Sequence, residues 1–264
     1  MDLGLNGRTA AVTGGSSGIG LATVEQMLEE GANVAFCARD AAKIAAVADR
    51  LAARFGRDHV LGHACDVRDA ASVTAFRDAV QARFGAADVL VNNAGRSMMK
   101  RFGDTTDAEW REELDLKFFG LINPTRAFLP LLQASDAAAI VCVNALLSVQ
   151  PEPWLAATAA ARAGALSLTK TLSLDLAESG IRVNSVLLGV IESGQWQRRF
   201  DAQAPAGVTK DDWLAGLARE RRIPLGRFGT PAEVASAIVF LASPRASYIT
   251  GAALDVSGGN ARHV

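Results

Sequence analysis

Tyrosine is all but missing: Tyr248 is the sole one in 264 residues. Any mechanism that needs a phenol therefore has a single candidate, close to the C-terminal end. Cysteine is scarce too. Cys37, Cys65 and Cys142 are odd in number, far apart and set in apolar runs, which argues against a disulfide framework and for buried thiols. No Cys/His spacing suggests a metal site. Neither sign of charge is in excess, with 27 basic and 28 acidic residues. Without a block of like charge, nucleic acid and anionic membrane surfaces are poor partners. No run reaches the roughly 18 apolar residues of a membrane helix, and the opening segment, acidic at Asp2, does not read as a signal peptide. The expectation is a soluble, cytoplasmic protein whose partners are small molecules or further copies of itself.

What the chain does have is apolar runs alternating with helical periodicity. Strands are expected at Arg8–Thr13, Asn33–Ala38, His59–Cys65, Asp88–Asn92, Ala138–Asn144, Ile181–Leu187 and near Ala252–Val256. Helices are expected over about Gly18–Glu30, Ala70–Phe84, Ala108–Gln133, Leu155–Glu178 and Pro231–Leu241, with another carrying Ile44, Val47, Ala48 and Leu51 on one face. Continuously apolar strands are buried on both sides, as in parallel sheets. Their alternation with helices implies right-handed crossovers. The fold class is α/β: a Rossmann-type doubly wound parallel sheet of about seven strands, helices on both faces, in one domain spanning 1–264. Residues 193–222 break the rhythm. This polar stretch, with Trp196, Phe200 and Trp213, is expected to be irregular and reads either as a substrate-side lid or as a partly helical surface excursion.

The strongest local signal is Thr13-Gly14-Gly15-Ser16-Ser17-Gly18-Ile19-Gly20, between the first strand and the first helix. Phosphate binding needs backbone N–H groups aimed at the ligand and no Cβ in the way. Glycines at a strand-to-helix turn meet both needs, and the helix dipole adds to them. A dinucleotide is the implied ligand. At the end of the second strand stand Ala38 and Arg39, where an acid would hold the ribose hydroxyls of NAD. A small residue beside a guanidinium suits a 2′-phosphate, so NADP(H) is favoured and NAD(H) is the second choice. Asp40 could also neutralise Arg39 as an ordinary surface pair.

The G-x-x-x-G-x-G spacing resembles the glycine turn of the short-chain dehydrogenase/reductase family. Asn92-Asn93-Ala94-Gly95, Asp66 in Cys65-Asp66-Val67, Ile223-Pro224-Leu225-Gly226-Arg227, Pro231-Ala232-Glu233-Val234-Ala235, Gly251 and Ser257-Gly258-Gly259 follow in the family's order. The resemblance implies cofactor contacts from Thr13, Gly14, Ser16, Ser17, Gly18, Ile19, Gly20, Arg39, Asp66, Val67, Asn93, Ala94, Gly95 and Arg162. In the loop after the sixth strand it implies Gly189, Ile191 and Ser193. It also implies a homotetramer built through the helices containing Lys117 and Arg162 and through the last helix and strand.

The same alignment exposes a departure. Where the family carries a catalytic Tyr, Lys, Ser and Asn, this chain has Thr158, Arg162, Ala145 and Lys117. Tyr248 lies in the closing pattern and is not a displaced copy. An aliphatic hydroxyl ionises far less readily than a phenol, whose pKa is about 10. Losing general-acid help costs about 10²–10⁴ in rate. Lys117 and Arg162 are expected to share a pocket, which would lower the lysine's pKa and favour a substrate with an acidic group. That makes Lys117 a candidate replacement acid. An ion pair between Lys117 and Glu113 one turn earlier is the competing reading. Asn144, Ser148 and Glu152 are further candidates for substrate contact, and His59, His63 and His263 are expected to take no part. The function expected is an NADP(H)-dependent oxidoreductase acting on a small carbonyl or alcohol at a non-standard site. The alternative is a non-catalytic NADP(H)-binding sensor or partner subunit.

Overall fold

The structure, a computed structural model, describes residues 2–205 and 207–262. The chain alternates strand and helix from its start: β1 (Thr9–Thr13), α1 (Gly18–Glu29), β2 (Asn33–Ala38), α2 (Ala41–Phe55), β3 (Val60–Ala64), α3 (Ala70–Phe84) and β4 (Val89–Asn92). Then come α4 (Asp107–Gln133), β5 (Ala139–Ala145), α5 (Ala156–Asp175), β6 (Arg182–Leu188), α6 (Gly194–Gln203), α7 (Lys210–Glu220), α8 (Pro231–Ala242) and β7 (Ala253–Val256). Every strand pairing is parallel, and the strand order is β3-β2-β1-β4-β5-β6-β7. The sheet therefore reverses direction of winding between β1 and β4, where such sheets open a crevice at their C-terminal edge.

Pleating divides the strands between two cores. Ala10 and Val12 of β1 join Val34 and Phe36 of β2 beneath α1, α2 and α8, through Val24, Met27, Ile44, Leu51, Val234 and Ile238. Ala11, Ala35 and Cys37 face the other way, onto Phe76 of α3 and Phe128 of α4. Two-sided burial is why these strands carry no polar alternation. All three cysteines are buried and free. The helix bearing Ile44, Val47 and Leu51 is α2, capped by the Asp40 carboxylate, which accepts from Lys43 N at 3.0 Å.

The 193–222 stretch departs from the irregular segment expected. It folds into α6 and α7, with a small core of its own: Trp196 meets Trp213 at 6.3 Å and Phe228 at 4.9 Å between ring centroids, and Phe200 meets Trp213 at 5.8 Å. Leu214, Ala218 and Ile223 complete it. Among the described residues no helix is long and apolar enough to cross a membrane.

Candidate active site

A cleft of about 520 Å³ runs along the C-terminal ends of the strands. At one end the β1–α1 turn forms its floor. Gly14 takes a φ of +69°, and a Cβ there would come within 2.9 Å of the Ala94 backbone. A Cβ at Gly20 would strike the Gly14 carbonyl oxygen at 2.3 Å. Helix and turn thus pack closer than any side chain permits. The N-cap of α1, Ser17, makes no side-chain cap, whereas Asp40, Asp69, Thr106, Thr209 and Thr230 cap α2, α3, α4, α7 and α8. The first-turn N–H groups of α1 are left to the cleft, a cradle suited to a pyrophosphate.

Gly14, Ser16, Ser17, Gly18, Ile19, Gly20, Arg39, Asp66, Val67, Asn93, Ala94, Gly95, Arg162, Gly189, Ile191 and Ser193 all line this one cleft. Thr13 does not. It is fully buried below the turn, where its Oγ1 accepts from Asn93 N and Ala94 N at 3.0 and 3.1 Å. Asn93 Nδ2 donates to Thr13 O and Gly14 O, so β4 holds the glycine turn in place. Arg39 is exposed at the end of β2. Asp66 is gripped by Arg68 through two bonds, of 3.1 and 2.7 Å, which hold its carboxyl below the usual range.

The four residues at the expected tetrad positions divide sharply. Arg162 and Ala145 line the cleft. Thr158 is 0 % and Lys117 7 % exposed, and both stand behind the cleft wall rather than in it. There they meet Glu113, itself 1 % exposed. Lys117 Nζ lies 2.9 Å from Glu113 Oε1 and also donates to the Arg96 carbonyl. The Thr158 hydroxyl donates to the same Oε1 at 2.6 Å. Burial and the Arg162 charge together lower the Lys117 pKa to about 8, against the opposing pull of Glu113. The i, i+4 ion pair is present, and Lys117 is not among the residues that line the cleft.

Arg162 forms the partition. On its inner side is a cavity of about 30 Å³, shared with Lys117, Asn92 and Asn144. Its guanidinium reaches Val143 O and Asn144 Oδ1 at 3.4 Å each, and Nε is buried without a partner. Burial lowers its pKa to about 10, which still leaves it charged near neutrality. Asn144 Nδ2 donates to Arg162 O, and Ser148 Oγ to Ala145 O; neither residue lines the cleft. Glu152 does, with Oε2 buried and unpartnered. His59 bonds Asn33 and His63 lies in β3, both away from the cleft; His263 lies outside the described residues.

A family model described as enoyl-(acyl carrier protein) reductase matches residues 14–261. The 3-oxoacyl-(acyl-carrier-protein) reductase of Vibrio harveyi is 33% identical over 257 residues, 97% of this chain and 98% of that one. The chain belongs to the short-chain dehydrogenase/reductase family. Among solved structures of the family, a short-chain oxidoreductase from Pseudomonas aeruginosa is 52% identical and superposes with a TM-score of 0.95, covering 99% of each chain. That protein is NADPH-bound and is described as containing an atypical catalytic center. The L-sorbose reductase of Gluconobacter frateurii, in complex with NADPH and L-sorbose, is 32% identical with a TM-score of 0.94, both chains being covered fully.

Measured against the family's pattern, sequence reasoning missed two groups. One is the Thr158 hydroxyl as a second partner of Glu113, whose pairing with Lys117 the i, i+4 spacing already offered. The other is a pair of arginines, Arg199 and Arg221, that line the cleft from the α6–α7 excursion. The family's motifs give no signal for either. A hydrogen bond between α4 and α5, or an arginine in an unpatterned stretch, becomes visible only when tertiary structure brings the partners together.

Proposed function

We propose that the protein is an NADPH-dependent oxidoreductase acting on a small carbonyl or alcohol, at a site without the family's usual proton donor. The observation that carries this reading is one continuous cleft, joining Arg39 and the glycine cradle to Arg162. At about 520 Å³ it falls within the size range of small-molecule and cofactor sites. The NADPH-bound Pseudomonas neighbour with its atypical center supports the same reading.

In this arrangement the backbone of Gly14–Gly20 holds the pyrophosphate and Arg39 the 2′-phosphate. Asp66 and Val67 flank the adenine. Asn93, Ala94 and Gly95 line the middle of the cleft, and Gly189, Ile191 and Ser193 bound its nicotinamide end. Bound NADPH supplies the hydride. The chain's part is to orient the substrate and stabilise negative charge developing on the carbonyl oxygen. Arg162 is the tetrad-position group placed for that. As a cation with a pKa of about 10 it is a donor of hydrogen bonds rather than a ready source of protons, so the proton comes from solvent. The chain is proposed to act as a homotetramer.

The test is NADPH consumption over a panel of aldehydes, ketones and keto acids, with NADPH binding followed by fluorescence. The wild type is compared with the Ala145→Ser, Thr158→Tyr, Arg162→Lys, Lys117→Asn quadruple variant. Turnover by the wild type that falls at least tenfold in Arg162→Ala is the expected result. NADPH binding without wild-type turnover, alongside activity in the quadruple variant, overturns the reading in favour of a non-catalytic NADPH-binding protein.

A further inference from the structure

We propose that Arg199 and Arg221 form an oxyanion subsite at the substrate end of the cleft, so that the carbonyl substrate carries a carboxylate or phosphate away from its reacting carbon. This rests on the oxidoreductase reading for its location but on separate residues. Arg199 lies in α6 and Arg221 directly follows α7. Both are half-buried and both line the cleft. Their guanidinium carbons stand over one ring, that of Trp196, at 4.8 and 5.6 Å from its centroid.

Neither cation has an acidic partner, unlike Arg68 and Arg96 of the same cleft, which pair with Asp66 and Glu112; Arg39 and Arg162, farther along the cleft, likewise form no ion pair among the described residues. Among the described residues no carboxylate lies within 4 Å of Arg199 or Arg221, and the charge of Arg221 joins burial in lowering the Arg199 pKa. Two like charges held together on an aromatic ring, half out of water, are an unfavourable arrangement until an anion enters. Planar guanidiniums are suited to gripping the paired oxygens of a carboxylate or phosphate.

The site is also held firmly. Trp196 is fixed by edge contacts with Trp213 and Phe228, so α6 and the end of α7 present the arginines on a packed base. Nor is this the cofactor's 2′-phosphate site. Arg39 directly follows β2, whereas α6 follows β6, four strands across the sheet, which is about 19 Å at the usual spacing between strands. Met99, Leu147, Trp154 and Trp196 line the same cleft, as do the carboxylates Glu152 and Glu192. The apolar side chains suit an apolar body and the two arginines an anionic head.

The experiment uses ω-benzoyl carboxylates with two, three and four methylenes between ketone and acid, each beside its methyl ester. Binding to the NADPH-loaded protein is measured by calorimetry and NADPH consumption by absorbance. The expected result is that at least one acid binds tenfold or more tightly than its ester. In Arg199→Gln/Arg221→Gln that preference should vanish while NADPH affinity, which reports an intact fold, is retained. Equal binding of acid and ester, no binding of either, or a preference that survives the double substitution overturns the subsite. Arginine-dependent acid binding without NADPH consumption would keep the subsite and sink the oxidoreductase reading. Reduction of acid and ester alike would do the reverse.

Discussion

Glu113 ties together two of the four expected tetrad positions, Lys117 and Thr158. A lysine buried at position 117 needs a carboxylate, and Glu113 supplies it at 2.9 Å. That carboxylate accepts a second bond from Thr158 at 2.6 Å. Thr158 Oγ1 in turn accepts from Met98 N at 3.0 Å. Three side chains and a loop thus form one hydrogen-bonded unit behind Arg162, and each member is costly without the others. Thr158→Val should destabilise the protein by about 1–2 kcal/mol, since Oε1 loses a buried donor. Glu113→Gln should cost more, about 3 kcal/mol, because Lys117 stays behind without its counter-charge. Urea unfolding at pH 7 measures both; equal, negligible losses would dissolve the unit. The pH dependence follows from Lys117. Its pKa falls from 10.5 to about 8 on folding, so between those values the unfolded chain binds the extra proton. Stability should therefore rise with pH from about 8 to 10.5, by up to about 3 kcal/mol from this group. Lys117→Met should flatten that rise in urea titrations across the window, and an unchanged slope would place the lowered pKa elsewhere.

At the scale of elements, the start of α1 is the feature on which cofactor binding depends. Gly14→Ala would force a side chain into a positive φ and against Ala94. A stability loss of about 1–2 kcal/mol is expected from the backbone alone, with NADPH affinity down tenfold or more in a fluorescence titration. Arg39→Ser should instead lower NADPH affinity tenfold while leaving NADH affinity and stability nearly unchanged. Such elements were legible in advance because their signals are local. A buried parallel strand is an unbroken apolar run, and each expected strand end falls within one residue of the structure's. The glycine turn announces itself in the same way. α6 was illegible for an equally physical reason: none of its ten residues is fully buried, and the single pair Trp196 and Phe200 is too short an apolar stripe to establish a period. Its aromatic contacts come from α7 and from Phe228, beyond the reach of any local window. The placement of Lys117 and Thr158 behind the cleft, not in it, depended likewise on Glu113, whose side chain points to α5 only once α4 and α5 are packed.

For the whole molecule, the distribution of exposed apolar side chains argues for assembly. Phe119 on α4 and Leu174 on α5 are exposed, Leu174 to 68 %, on the two helices that carry Lys117 and Arg162. At the other end, β7 is an edge strand with Ala253, Leu254 and Asp255 all exposed, and Tyr248 just before it is 103 % exposed. An uncovered strand edge invites pairing, and if each of these two faces pairs with its own copy the product is a tetramer of dihedral symmetry. Sedimentation equilibrium should give four times the chain mass of 27.6 kDa. Phe119→Asp/Leu174→Asp should halve that mass, as should Tyr248→Asp/Leu254→Asp, and combining all four should yield monomers. Because these side chains face solvent in the isolated chain, the substitutions act on association and leave the fold intact, which far-UV circular dichroism would verify. A wild type that sediments as a monomer would refute the assembly. Dimers unaffected by one of the two pairs would show that only the other face is used. The α4–α5 face bears on activity as well, since those two helices hold Glu113, Lys117, Thr158 and Arg162. If their docking is tightened by the partner copy, the Phe119→Asp/Leu174→Asp dimer should lose turnover while the Tyr248→Asp/Leu254→Asp dimer keeps it.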